Sequence, residues 1–260
     1  MPTLKIGDAD LYYEEYGQGH PLLLLAPGGL LSHIELWRTT RDGRPRDWPD
    51  PVAEFARDFR VIAVDQRNAG RSRAPVRAGD GWHTYVQDHL GLLDALGVDR
   101  FHVLGSCIGA SFALKLCEQA PHRVTAAVLQ QPIGLTTQNA DSRAETFDEW
   151  AAGVQQRDAS VTASDIAGFR RNLFDRDFVY SVTRDAVQRN HVPLLVLAGN
   201  DLLHPAEVAD EIVALSPNAR KVAHWKGADN RARYISEIRE FLERARPAPA
   251  SHVVATAVVQ

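Results

Sequence analysis

HVLGSCIGASFALKL, residues 102–116, decides how the chain is read. His102-Val103-Leu104 are strand-formers that stop at Gly105. Beyond Cys107 the apolar residues recur at helical spacing, which predicts a helix over 107–120. Two nucleophile candidates, Ser106 and Cys107, therefore sit side by side where a strand gives way to a helix.

Strand and helix signals alternate on both sides of this corner. The runs around Leu4–Ile6 and Leu11–Tyr13, separated by Gly7-Asp8, predict a hairpin. PLLLLAPGG (21–29) reads as a buried strand running into a glycine-rich loop, and RVIAVDQRNAGRS (60–72) as a strand running into a polar turn. DWPDPVAEFARDF (47–59) holds a short helix after Asp50-Pro51, and 84–97 a longer one that ends on Gly97. Strands follow at 125–132, 193–201 and KVAHW, with helices at 205–215 and 233–245. Uniformly apolar strands alternating with helices point to an α/β fold, a mostly parallel sheet covered on both faces. Ligands bind at the carboxyl ends of such strands. The segments to inspect are therefore 26–33, 65–72, 105–109, 130–134, 199–205 and 225–230.

Residues 135–190 are richer in Asp, Arg, Thr and Asn and lack strong strand signals. They read as a small helical cap inserted between core segments 1–134 and 191–246, with 247–260 a loose tail. The net charge of −4 disfavours nucleic acid as a partner. The first residues lack the layout of a signal peptide, and no apolar run approaches the length of a membrane span. The only cysteines are Cys107 and Cys117. On one helix they stand roughly 15 Å apart, too far for a disulfide. A reduced, cytoplasmic protein acting on a small molecule is expected. No metal-ligand spacing appears, and no cofactor is implied.

Gly105-Ser106-Cys107-Ile108-Gly109 resembles the nucleophile elbow G-x-Nu-x-G of the α/β-hydrolase superfamily, with Cys107 at its centre and Ser106 as a small flanking residue. Three more segments resemble that superfamily in chain order: Asp65–Ser72 its D-x-R-G-x-G-x-S turn, with Asn68 for the first glycine; Ala26-Pro27-Gly28-Gly29 its oxyanion loop; and Gly199-Asn200-Asp201 with Pro205 its acid loop. The resemblance covers residues 3–245. It implies an oxyanion hole from the backbone N–H groups of Ile108 and of Gly28 or Gly29, and a carboxylate, Asp201, that orients a histidine. Dienelactone hydrolases are similar in using Cys, His and Asp together. Asp65 and Arg67 read as structural, with Arg67 bonding carbonyls at its turn.

The pattern breaks at the base. After the last strand, where the superfamily places histidine, the chain reads Trp225-Lys226-Gly227-Ala228-Asp229-Asn230, with Asn230 at the histidine's place. An amide cannot take up and return a proton as imidazole does. His204, three residues after Asp201 at the same rim, is the first candidate, and its alternative is a solvated loop residue. His33 could overhang the site from the oxyanion loop or lie on the surface. His224 reads as a strand histidine, and His83, His89, His102 and His122 as structural. The favoured activity is hydrolysis of an ester, thioester or lactone through an S-acyl intermediate on Cys107. Acyl transfer or cyclisation on the same scaffold, or a non-catalytic ligand-binding protein, remain alternatives.

Overall fold

The structure, a computed structural model, describes residues 3–139 and 145–248. Eight strands form one sheet in the order β1-β2-β4-β3-β5-β6-β7-β8. They are β1 (Thr3–Ile6), β2 (Ala9–Tyr16), β3 (Pro21–Leu25), β4 (Arg60–Val64), β5 (Phe101–Ser106), β6 (Val124–Gln130), β7 (Leu194–Leu197) and β8 (Ala219–Val222). The hairpin partner β2 runs antiparallel to β1 and β4, and every later pairing is parallel.

The apolar run of β3 shows why the sheet is covered on both sides. Leu23 and Leu25 join one hydrophobic cluster, and Leu22 and Leu24 join the other. Successive side chains point to opposite faces, so five consecutive apolar residues require cover above and below. β4 divides alike, with Ile62 and Val64 on one side and Val61 and Ala63 on the other. On the first face lie α2 (Trp82–Ala95), α3 (Ile108–Gln119) and α7 (Ala206–Leu215), through residues such as Val86, Phe112 and Ile212. On the second lie α1 (Pro51–Phe55) and α8 (Arg231–Arg244), through Phe55, Tyr234, Ile238 and Leu242. Asp50 caps α1, accepting the Val52 N–H at 2.9 Å, with Pro51 at the first helical position.

Between β6 and β7 the described residues hold three helices and no strand: α4 (Glu145–Arg157), α5 (Ala163–Phe174) and α6 (Arg184–Gln188). Phe147, Trp150 and Phe169 pack against one another there, with ring centroids 4.9–6.4 Å apart. Of the expected tail, residues 249–260 lie outside the described residues, as do 140–144 within the expected cap.

Strand order positions the site. From β3 the chain steps outward to β4, then returns to pair β5 along the other side of β3. The loops leaving β3 and β5 therefore diverge at neighbouring carboxyl ends, which opens a crevice there. The loop leaving β3 is the oxyanion candidate and the loop leaving β5 is the elbow.

Two sequence expectations need correction here. β8 ends at Val222, so His224 stands beyond the strand and is exposed, because the edge strand stops where its pairing with Leu197 of β7 stops. Arg67 does not bond turn carbonyls. It is buried and makes a bidentate pair with Asp88 of α2, at 2.7 and 2.9 Å. A buried guanidinium needs a charge partner that neutral carbonyls cannot supply. Asp65 is structural as expected, accepting the N–H groups of Ile34 and Arg71, both at 2.9 Å.

Candidate functional site

Cys107 stands between β5 and α3 with φ 58° and ψ −120°. A non-glycine residue in that region is strained by about 1–3 kcal/mol and must be held by its surroundings. The flanking glycines supply the hold by letting backbone approach backbone. A Cβ on Gly105 would lie 2.0 Å from the Gly109 oxygen, and one on Gly109 would lie 2.0 Å from the Leu25 oxygen. No larger residue fits at either position, so α3 is packed directly onto β5 and β3. The Cys107 N–H donates to the Gln130 oxygen at 3.0 Å, which ties the corner to β6. Cys107 is partly exposed, whereas Ser106 is fully buried. Of the two adjacent candidates, the cysteine faces the opening.

A second loop brings acid and imidazole to the same rim. After β7 the chain turns through Gly199 and Asp201 to His204. Oδ1 of Asp201 accepts the backbone N–H groups of Leu203 and His204, both at 3.0 Å. It also accepts Nδ1–H of His204 at 2.8 Å. The carboxylate thus shapes its own turn and fixes the ring it faces. Gly199 makes room, since a Cβ there would lie 2.4 Å from the Cβ of His204. Accepting from Nδ1–H leaves Nε2 as the free basic nitrogen. Nε2 is buried and has no hydrogen-bond partner among the described residues. His204 and Cys107 line the same cavity, where each influences the charge of the other.

Charge couples these residues. Burial pushes the Cys107 thiol up, but the His204 imidazolium and the backbone N–H groups of Gly28 and Ile108 more than offset it, and the thiol lies below its ordinary value. Burial pushes His204 down, whereas the Cys107 thiolate and Asp201 hold it at about 9. The hydrogen bond from His204 draws Asp201 down to about 2. Thiolate and imidazolium thus favour each other's charged form, and Asp201 is a carboxylate at neutral pH. A thiol lowered in this way loses its reactive form only as pH falls through the lowered value. The rate of Cys107 alkylation by iodoacetamide is therefore expected to level off below about pH 8.5, where an unperturbed cysteine is still titrating. A rate that rises through pH 9, read by mass spectrometry of the Cys107 peptide, contradicts the ion pair.

These groups meet at a cavity of about 440 Å³. Gly28, Gly29, Cys107, Ile108 and His204 line it, with Ile133, Phe174, Tyr180 and Leu203 as apolar wall. Of the two oxyanion-loop glycines, Gly28 is the one whose N–H acts on the sulfur. His33 is a correction: its Nδ1 is bonded to the Leu31 oxygen at 2.7 Å, and its side chain lines a separate surface depression. The tight 3₁₀ turns at Gly29–Leu31 and Ile34–Trp37 direct it there. His89 and His102 are buried and held below the ordinary histidine range, at about 3, by burial.

The segment after β8 braces the acid loop, and its histidine, His224, is exposed and is not among the residues lining the cavity. Nε1 of Trp225 donates to the Ala198 oxygen at 2.7 Å, and Nζ of Lys226 to Oδ1 of Asn200 at 3.0 Å. Asn230 donates to the Lys226 oxygen at 2.8 Å and heads α8.

Two cavity residues escaped the sequence reading. Gln131 follows β6 at φ 39° and is buried, with Oε1 unbonded among the described residues. Arg46 comes from the loop between the oxyanion turns and α1. The density of arginine in RTTRDGRPRDW, 38–48, was the one available signal. It could not say which guanidinium turns inward.

Known proteins place this geometry in a lineage. The chain is 33% identical over 157 residues to "Putative carbamate hydrolase RutD" of Azorhizobium caulinodans, covering 60% of this chain and 51% of that one. It is 27% identical over 135 residues to 2-hydroxy-6-oxo-2,4-heptadienoate hydrolase of Pseudomonas putida, covering 52% and 45%. The chain thus spans about half the length of these curated relatives. Among solved structures, the enol-lactonase from Burkholderia xenovorans superposes with a TM-score of 0.66 at 20% identity, over 93% of this chain and 100% of that one. At that identity the likeness speaks for the fold alone. The family model for the alpha/beta hydrolase fold matches residues 21–178, from β3 through the elbow and into the helices that follow β6, and the chain belongs to that family.

Proposed function

We propose that the protein hydrolyses an ester, thioester or lactone of a small molecule through an S-acyl intermediate on Cys107. The observation that carries this reading is the meeting of Cys107 and His204 at one cavity, with Nδ1–H of His204 held by Asp201 at 2.8 Å. The names of the curated relatives, hydrolases of a carbamate and of a dienoate, support the reaction class. The Cys, His and Asp set is the one that dienelactone hydrolases use.

The thiolate attacks the substrate carbonyl carbon, and the carbonyl electron pair moves to oxygen. That oxyanion is received by the N–H groups of Gly28 and Ile108. One such donor is worth about 2.7–4 kcal/mol in the transition state. As the tetrahedral species collapses, the bond to the leaving group breaks. The His204 imidazolium gives its Nε2 proton to the leaving oxygen or sulfur. Acylation then removes the thiolate charge that held His204 high. Burial, the largest influence on that ring, now favours its neutral form. His204 thus changes from acid to base at the step that needs a base. Nε2 takes a proton from water, the hydroxide oxygen bonds to the acyl carbon, and collapse releases the carboxylic acid and the thiolate.

We read 135–190 as the cap, because Phe174 and Tyr180 from that segment wall the cavity. Both cysteines are unpaired, which suits a reducing compartment. Among the described residues no helix is long and apolar enough to cross a membrane.

The test uses p-nitrophenyl acetate as an acyl donor. Acid-quenched mass spectra should show an acetyl adduct on Cys107 that water discharges, with turnover absent in Cys107→Ala. Turnover that survives in Cys107→Ala overturns the reading. An adduct that persists in water and transfers only to hydroxylamine replaces hydrolysis with acyl transfer.

A further inference from the structure

We propose that Arg46 is a specificity residue that receives a carboxylate carried by the substrate, so that the preferred acyl compound is an anionic acid derivative. This rests on the Cys107 reading above and names its substrate class.

Three arginines, Arg41, Arg44 and Arg46, line the same cavity as Cys107. They are not equivalent. Arg41 is bridged to Glu149 of α4. Arg44 pairs with Asp42 at 2.8 Å. Arg46 forms no ion pair among the described residues, although it is half-buried. Its Nε donates to the Leu36 oxygen at 3.0 Å, and its guanidinium stacks over the Trp48 ring, 5.0 Å from the centroid. Those two contacts fix the plane of the group while using only one of its five N–H donors. The fork of terminal nitrogens that best matches a carboxylate is left open.

A half-buried cation without a carboxylate partner loses hydration and gains no opposite charge from the fold in return. Burial accordingly pulls the Arg46 guanidinium below its ordinary range, and the opposing influences come from the Cys107 sulfur, Asp47 and Asp42. The sulfur is thus among the charges this guanidinium senses. When Cys107 is acylated that negative charge disappears, and a carboxylate elsewhere on the substrate supplies the replacement. The apolar wall of Ile133, Phe174 and Tyr180 accommodates the hydrocarbon between the two ends. A neutral ester of the same shape would leave Arg46 unmatched, and a cationic one would be repelled.

Two alkylating reagents of nearly equal size separate charge recognition from thiol reactivity. Iodoacetate carries a carboxylate and iodoacetamide is neutral. Any change in the thiolate alters both rates, so their ratio isolates the effect of reagent charge. The iodoacetate-to-iodoacetamide ratio for Cys107 should exceed that of glutathione measured alongside. It should fall about tenfold in Arg46→Gln, the scale of one unscreened charge at cavity distance. Arg46→Lys, which keeps the charge and loses the fork, should retain part of the preference, and Arg44→Gln should retain nearly all. In the unaltered protein, glutarate should slow iodoacetamide alkylation of Cys107, whereas its neutral diamide should not. This arm needs no variant to fold.

Rapid iodoacetamide reaction with a ratio unmoved by Arg46→Gln, or equal protection by glutarate and its diamide, overturns the carboxylate assignment and leaves the Cys107 reading intact. Iodoacetamide reaction no faster than with glutathione overturns both.

Discussion

Replacing His204 by Gln is expected to lower turnover by about a thousandfold while leaving a stoichiometric burst of product. A positioned acid or base contributes roughly 10²–10⁴ in rate. His204 serves in both halves of the proposed cycle, so the loss belongs above the low end of that range, at its middle. The halves should not suffer equally. A cysteine retains some thiolate without a partner, so acylation slows but continues. Its thiol pKa should rise, because burial already pushes it up and the His204 contribution that opposes burial is gone. Deacylation has no such reserve, since water at the acyl carbon then has no base. The acyl-enzyme should accumulate and be visible by mass spectrometry, with the burst equal to enzyme concentration. A His204→Gln variant that turns over at the unaltered rate without accumulating adduct would remove the base assignment.

Asp88→Asn is expected to be the most damaging single change outside the cavity. Arg67 is buried and grips Asp88 at 2.7 and 2.9 Å. Burial, the largest influence on Asp88, pushes its carboxyl up, while the pair holds Arg67 above the ordinary arginine range. Both shifts favour the protonated form, which is the charged form of Arg67 but the neutral form of Asp88, and the bidentate geometry decides for the ionised pair at neutral pH. Removing one member leaves the other charge buried, which costs about 3–5 kcal/mol. Asp8 and Asp80, at 3.5 and 3.9 Å from the guanidinium, recover part of this. The loss should lie near the low end, about 3 kcal/mol, or about 6–12 °C in melting temperature at 2–4 °C per kcal/mol. Asp88→Ala/Arg67→Met should be less destabilised than Asp88→Ala alone, because no charge is then stranded. A double variant as unstable as the single one would show that packing, not charge, dominates.

The elbow was legible because its requirements are local. A chain that leaves a strand and enters a helix within one residue needs small neighbours at fixed spacing, and Gly105 and Gly109 mark that spacing in the sequence. The close contacts at Leu25 and Gly109 are its three-dimensional consequence. The acid loop was legible for a similar reason. Asp201, His204 and Pro205 lie within five residues, and an Asx turn is short-range. That Asp201 builds the turn and holds the ring at once was not visible. Oδ1 serves both roles, and Oδ2 also lies 3.0 Å from the ring nitrogen.

The partner of Arg67 and the placement of His33 were read less well. Arg67 and Asp88 lie 21 residues apart, and only the packing of α2 against the sheet brings them together. His33 was placed by its nearness to the oxyanion glycines, yet two consecutive 3₁₀ turns carry it away from the crevice. Arg46 shows the limit most sharply. Four arginines occur within residues 38–46, and which one turns inward unpaired depends on Trp48, the Leu36 carbonyl, and Asp42 and Glu149, which engage two of the others.

By itself the amino-acid order determined the layered α/β architecture, the cysteine at the strand-to-helix corner and the loop that carries Asp201 and His204. Each is written in periodicity or in spacing of a few residues, where backbone sterics leave one answer. Tertiary structure alone decided which imidazole nitrogen Asp201 holds, which histidine shares the cavity with Cys107 and which guanidinium there lacks an ion pair among the described residues. Those depend on angles between segments distant in the chain, and they are set by how strands β3, β5 and β7 stand beside one another in the sheet.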